Sequence, residues 1–185
     1  MDERDLIQLI AGAVKGTGSR WADLGAGEGA FTLALAQLLG PGAHITAVDR
    51  DRNALARLAE AIQRRFPDVD LDVMVADFTR PLEMHDLDGI VMANSLHFVR
   101  NKLPVLASVK AMLRLSGRLV LVEYGADRGN PWVPHPLSYS TWARLSAEAG
   151  FEGTALLHTV PSRYLGSIYS AVSHKSLSPQ GRGSG

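Results

Sequence analysis

The stretch Asp23-Leu24-Gly25-Ala26-Gly27-Glu28-Gly29 lies between a short apolar run, Arg20 to Leu24, and a stripe of Phe31, Leu35, Leu38 and Leu39 at helical spacing. The run reads as a buried strand, the stripe as one face of a helix, and the glycines as the turn between them. Closely spaced glycines let a backbone turn sharply and approach a ligand, and a helix start offers free amide donors to it. The turn is therefore read as a cofactor site in an α/β fold.

The same unit recurs downstream. His44 to Val48 is an apolar strand ending at Asp49, followed by a helix striped by Leu55, Leu58, Ile62 and Phe66, with Arg57, Arg64 and Arg65 on a solvated face. A third strand alternates: Val69, Leu71, Val73 and Val75 face one side and Asp68, Asp70, Asp72 and Met74 the other, which predicts an edge strand with one solvated face. Gly89 to Ala93 and Arg118 to Val122 are the fourth and fifth strands. The helix between them carries Pro104 near its first turn and Leu106, Val109 and Leu113 on its buried side. Strands alternating with helices in this way specify a parallel sheet covered on both faces. Beyond it, Asp127 to Ser138 is a loop rich in proline and glycine, and a helix spans about Thr141 to Ala149. The last two strands, Thr154 to Val160 and Gly166 to Val172, are joined by a link so short, Pro161 to Leu165, that only antiparallel neighbours fit. Upstream, Leu6, Leu9, Ile10 and Val14 mark an amphipathic helix within residues 1–17 that stops near Gly16 and Gly18 and flanks the site. Residues 1–175 read as a single domain and 176–185 as a disordered tail.

Nineteen acidic and nineteen basic residues balance, so no overall field draws the chain to nucleic acid or an anionic membrane, and a small-molecule substrate is expected. The absence of cysteine excludes disulfides, thiolate metal sites and a cysteine nucleophile, and it fits the cytoplasm. No metal site is expected. The charged opening Met1-Asp2-Glu3-Arg4-Asp5 does not read as a signal peptide, and no membrane span of ~20 apolar residues is present.

The cofactor is decided by the acids around the glycines. Gly25 to Ala30 satisfies the relaxed dinucleotide fingerprint, and Asp49 can accept hydrogen bonds from both hydroxyls of an adenosine ribose, which suits NAD or S-adenosylmethionine. Asp23, however, immediately precedes the turn. A carboxylate there repels a pyrophosphate and attracts an ammonium or sulfonium cation, favouring S-adenosylmethionine. Asp77-Phe78, ending the third strand, adds an acceptor for an adenine amino group beside an aromatic ring.

From about Arg20 to Ser173 the chain resembles the class I S-adenosylmethionine-dependent methyltransferases, and within them the small-molecule branch that includes ubiquinone/menaquinone-type enzymes. The resemblance implies that Asp23, Gly25, Ala26, Gly27 and Gly29 cradle the methionine portion and that Asp49, with Arg50 beside it, holds the ribose. It further implies that Asp77 and Phe78 bind adenine, and that Ala93 and Asn94, in Ala93-Asn94-Ser95-Leu96-His97, face both cofactor and acceptor. The implied fold is a Rossmann-like three-layer sandwich around a seven-stranded, mostly parallel sheet of order 3-2-1-4-5-7-6 with the last strand antiparallel. S-adenosyl-L-methionine is the implied cofactor and S-adenosyl-L-homocysteine its product.

Methyl transfer from a sulfonium is an in-line displacement, so positioning and exclusion of water supply much of the catalysis. Where the acceptor must lose a proton, His97 is the candidate base. Ser95, His97, Glu123, Tyr124, Trp132 and His135 are read as the acceptor pocket, and Tyr164 as a residue that packs on the surface. Asn94 is followed by Ser95-Leu96, not by the Pro-Pro-aromatic continuation of enzymes that methylate amino groups of nucleic acid bases or protein glutamine. The segment that often roofs the site in the small-molecule branch is reduced here to one helix, so a homodimer or another partner is expected to complete the pocket. Two other functions stay open: a methyltransferase-like binding protein without catalysis, and an NAD(P)-dependent oxidoreductase. The oxidoreductase lacks support because no Tyr-x-x-x-Lys pair follows.

Overall fold

A computed structural model describes residues 2–14, 16 and 19–176, so the expected tail lies outside the described residues except for Ser176. Asp2 caps the first helix, α1 (Glu3–Ala11), by accepting the Asp5 amide at 2.9 Å. The glycine turn then joins β1 (Arg20–Leu24) to α2 (Ala30–Leu39), and the unit repeats with β2 (His44–Asp49) and α3 (Arg52–Arg65). β3 (Asp70–Val75) and β4 (Leu87–Ala93) follow. A 3₁₀ turn, Leu96–Phe98, leads into α4 (Leu103–Met112), β5 (Leu113–Tyr124), α5 (Tyr139–Glu148), β6 (Phe151–Ser162) and β7 (Gly166–Lys175).

The seven strands form one sheet of order β3-β2-β1-β4-β5-β7-β6. β1 pairs in parallel with β2 and β4, while β7 runs antiparallel to both β5 and β6, as the short link requires. Because successive strand residues face opposite sides, each strand feeds two apolar layers. Trp21, Ile45, Val91, Val120 and Val122 pack beneath α1, α2 and α3. Ala22, Leu24, Val48, Ile90, Met92, Leu119 and Leu121 pack beneath α4 and α5, together with the fully buried Trp142. The result is the expected three-layer sandwich. Among the described residues no helix is long and apolar enough to cross a membrane.

Several boundaries differ from the expectation. α1 stops at Ala11, where Gly12 caps it, although Val14 beyond it is still buried. Leu113 does not end a helix but begins β5, which runs much longer than Arg118 to Val122. β6 and β7 also extend past their predicted ends. The alternation of β3 does not describe its burial: Val73 and Val75 are exposed, whereas Leu71 meets one apolar layer and Met74 the other. The strand is at the edge as expected, but there the flanking layers reach only its inner positions, on both faces.

The arginines of α3 are exposed as predicted, and two of them tie neighbouring elements. Arg57 bonds Glu28 of the glycine turn, and Arg65 bonds Glu3 of α1, each at 2.5 Å.

Candidate active site

In an open α/β sheet, ligands bind outside the carboxyl ends of the strands where strand order reverses, here between β1 and β4. The glycine turn closes onto the exit of β4 at this point. Gly25 has φ 84°, and a Cβ on it would lie 2.5 Å from the Cβ of Ser95, so only glycine permits the approach. Gly29, expected to touch the cofactor, caps α2 with a left-handed backbone packed against Leu58 and is not in the lining of either cavity that flanks the turn.

Four amides of the turn are engaged within the protein. Gly25 and Ala26 donate to the Val48 carbonyl at 2.8 and 3.0 Å, and Gly29 donates to the Ala26 carbonyl. Gly27 donates to the Asp49 carboxylate at 2.8 Å. A phosphate brought here would find those four donors already engaged and two carboxylates, Asp23 and Asp49, nearby. That is the opposite of an anion-binding helix start. Asp23 is buried and accepts the Thr32 hydroxyl at 2.7 Å. Burial is the main reason its pKa rises from 3.8 to about 6, against the lowering effect of Thr32.

Three cavities meet at Asn94. The first, about 480 Å³, is lined by Gly25, Gly27, Asp49, Arg50, Asp77 and Phe78, among others. The second, about 350 Å³, lies across the turn against Asp23, Ala26, Ala93 and Leu6 of α1. The third, about 570 Å³, is bounded by His97, Phe98, Tyr124, Trp132, Val133 and Tyr164. Asn94 lines all three, in a left-handed backbone conformation with φ 51°, and its buried Oδ1 has no hydrogen-bond partner among the described residues.

The family model described as "Methyltransferase domain" matches residues 22–119. The chain belongs to this methyltransferase family. Over 106 residues, 47% of the chain, it is 26% identical to a highly reducing polyketide synthase of Pyrenophora dematioidea, of which it covers 4%. It superposes on the CurJ carbon methyltransferase with a TM-score of 0.71 at 22% identity, covering 86% of this chain and 49% of that one. A SAM dependent methyltransferase from Aquifex aeolicus gives 0.69 at 16% identity, with 95% and 99% covered. The chain thus spans about half of CurJ's chain and a small part of the synthase. At such identities the superpositions establish the fold.

The methyltransferase domain draws its methyl group from S-adenosylmethionine, and the donor set fits that cofactor. Carboxylates flank two neighbouring cavities that share Gly25, Gly27 and Asn94 in their linings, and no larger residue can replace Gly25. Asp77 faces the first cavity while accepting the Thr79 hydroxyl at 2.7 Å and the Thr79 amide at 2.9 Å, and these bonds hold its pKa below the ordinary value.

In the methyltransferase's third cavity the expected residues divide. His97, Tyr124 and Trp132 line it. Ser95 does not: it faces the first cavity, its hydroxyl bonded to the Leu24 carbonyl at 2.8 Å. Glu123 does not line it either. It points to the same side of the sheet as Leu119 and Leu121, is fully buried, and accepts three hydrogen bonds there. Two come from His97, through Nδ1 at 2.7 Å and the backbone amide at 3.1 Å, and one from the Tyr124 amide at 2.9 Å. His135 does not line it and acts only through its backbone, which braces the segment: its amide donates to the His97 carbonyl at 3.0 Å, and its carbonyl accepts from Lys102 Nζ at 2.9 Å. Tyr164 is exposed as expected, yet it meets Tyr124 edge-on at 6.5 Å and forms part of the cavity. Sequence reasoning also missed Phe98, which borders both the first and third cavities. Its position one residue after His97 was the available signal.

Proposed function

We propose that this methyltransferase transfers a methyl group to a small molecule that gives up a proton to His97 as it reacts. The observation that carries the proposal is the meeting of three cavities at Asn94, two flanked by carboxylates and the third by the His97 ring. When bound, S-adenosylmethionine supplies an electrophilic methyl on a positively charged sulfur and leaves as neutral S-adenosylhomocysteine.

Asp23, in the second cavity with Ala26 and Ala93, is assigned the ammonium end of the cofactor, to which an ionised carboxylate is complementary. Asp49, with Arg50 beside it, is assigned the ribose. Its two oxygens accept the Gly27 and Asp51 amides, and the remaining lone pairs are available to hydroxyls. Asp77 and Phe78 are assigned the adenine. Gly25, Gly27 and Asn94 are shared by the linings of the two carboxylate-lined cavities.

Glu123 acts as a positioning residue. Its carboxylate can only accept, so the His97 proton sits on Nδ1 and the lone pair on Nε2, which has no hydrogen-bond partner among the described residues. The acceptor's electron pair would take up the methyl group that the bound cofactor would supply, and the chain's own part would be to receive the acceptor's proton. The acceptor's proton passes to Nε2 and from there to water. Phe98 borders both the first and the third cavity at this point.

The Asn94-Ser95-Leu96 sequence and the balanced charge support placement in the small-molecule branch that includes ubiquinone/menaquinone-type enzymes, with no nucleic acid partner. The cysteine-free composition suits the cytoplasm. The test is incubation with methyl-labelled S-adenosylmethionine and a small-molecule cell extract. A labelled low-mass product should form with the native protein and be lost with His97→Gln, while calorimetry shows S-adenosylhomocysteine still bound. Tight cofactor binding without any labelled product would favour a binding protein over an enzyme.

A further inference from the structure

We infer that the chain carries a second small-molecule site, at the opposite end of the strands from Asn94, for a zwitterionic α-amino acid with an apolar side chain. Residues 76–86 lead from β3 across to the parallel strand β4 and form no helix, although such crossovers usually carry one. A cavity of about 310 Å³ is lined on one side by the starts of β1 and β2 and by β3, and on the other by the last residues of this connection. Thr46 marks it as a site. This residue is only 7% exposed and lines the cavity, yet its hydroxyl has no hydrogen-bond partner among the described residues. A hydroxyl so buried ordinarily finds a partner within the protein. Two charges on the walls are also unanswered: the Arg20 guanidinium and the Glu83 carboxylate have no hydrogen-bond or ion-pair partner among the described residues. His44, by contrast, is held at both ring nitrogens, with Nδ1 2.9 Å from Asp70 and Nε2 3.2 Å from Asp72.

One cation, one anion and one hydroxyl thus stand unengaged around a single cavity, and together they select a ligand class. A simple carboxylate would pair with Arg20 but be repelled by Glu83 and Asp72, and a simple amine would pair with Glu83 but meet Arg20. A zwitterion answers both charges, with its carboxylate on the guanidinium fork and its ammonium on Glu83. The Thr46 hydroxyl can donate to that carboxylate or accept from that ammonium. Met74, Met84 and Leu87 supply the apolar part of the lining, and methionine adapts readily to an irregular apolar side chain. The volume lies at the small end of ligand sites, which suits an amino acid.

Titration of the whole chain with L-leucine and matched analogues, followed by the amide NMR spectrum, tests this. L-Leucine should shift the amides of Thr46, Met74 and Met84 and leave those of Gly25 and Gly27 in place. 4-Methylpentanoate lacks the ammonium and 3-methylbutylamine lacks the carboxylate, and each should bind about five-fold more weakly, as expected for loss of one partly exposed ion pair. Thr46→Val removes the hydroxyl at nearly constant shape and should weaken L-leucine about five-fold without lowering the unfolding midpoint or the affinity for S-adenosylhomocysteine. Arg20→Gln should weaken L-leucine but not 3-methylbutylamine, a selectivity that a general loss of structure would not give. No binding of L-leucine, shifts confined to the glycine turn, equal binding of either analogue, or unaltered affinity in Thr46→Val would overturn the inference. Methyl transfer stands or falls separately, on the binding of S-adenosylhomocysteine.

Discussion

Replacing Asp23 by asparagine should make the protein more stable and its hold on the cofactor weaker, a pair of opposite effects that a purely structural carboxylate would not produce. Asp23 is buried and its pKa is raised from 3.8 to about 6, so the folded protein binds this proton more tightly than the unfolded chain. Stability attributable to this group therefore falls as pH rises from about 4 through 6. At about 1.4 kcal/mol per pKa unit, the loss at neutral pH is about 3 kcal/mol. The asparagine amide oxygen would still accept the Thr32 hydroxyl that Asp23 holds at 2.7 Å, so the variant removes the buried charge and keeps that contact. Urea denaturation at pH 7.5 should show Asp23→Asn more stable by up to about 3 kcal/mol, with the difference vanishing near pH 4. Calorimetry at pH 7.5 should show S-adenosylmethionine bound about 10- to 150-fold more weakly, the worth of a hydrogen bond to a charged group. For the native protein, affinity should fall below pH 6 by about ten-fold per pH unit as Asp23 takes up its proton, while the variant's affinity stays flat. A variant less stable than the native protein, or one that binds S-adenosylmethionine as tightly, would refute the reasoning.

Asp49→Ala should weaken S-adenosylmethionine by about 1.5–3 kcal/mol in the same titration, since it removes a charged acceptor facing the first cavity. His97→Gln should reduce turnover by about 10²–10⁴-fold, the usual contribution of a positioned base, with unchanged S-adenosylhomocysteine affinity; retained turnover would make His97 structural. The two glycines should respond differently. Gly25→Ala drives a Cβ to 2.5 Å from Ser95 at φ 84° and should lower the unfolding midpoint sharply. Gly27→Ala meets nothing within 4 Å, so it should cost stability only through its φ of 53°, about 1 kcal/mol, and show its main effect as lost cofactor affinity.

The first half of the sheet was readable because its signals are redundant. Arg20 to Leu24 is apolar, short and followed by glycines, and Phe31 to Leu39 carries a helical stripe that Gly40 ends. β6 was under-read because half of its residues are exposed and only two are buried, so it supplies no apolar period to follow. In the site, positions were legible but directions were not. Glu123 and Tyr124 both end β5, yet alternation turns Tyr124 to the cavity and Glu123 to the opposite layer, where the 3₁₀ turn brings His97 onto it. The sequence places Ser95 two residues before His97, but only the fold shows that its hydroxyl is held by β1. Asn94 was marked by its place after a strand. Its left-handed backbone, which asparagine tolerates better than most residues, and its unpartnered Oδ1 emerge only in three dimensions.

A crystal structure with S-adenosylhomocysteine bound bears most directly on the assembly of the site. The ligand should span the two carboxylate-lined cavities, its ammonium on Asp23 and its ribose on Asp49, with the sulfur beside Asn94 opening toward Nε2 of His97. A ligand lying the other way round, or a sulfur sealed from the cavity that holds His97, would contradict it.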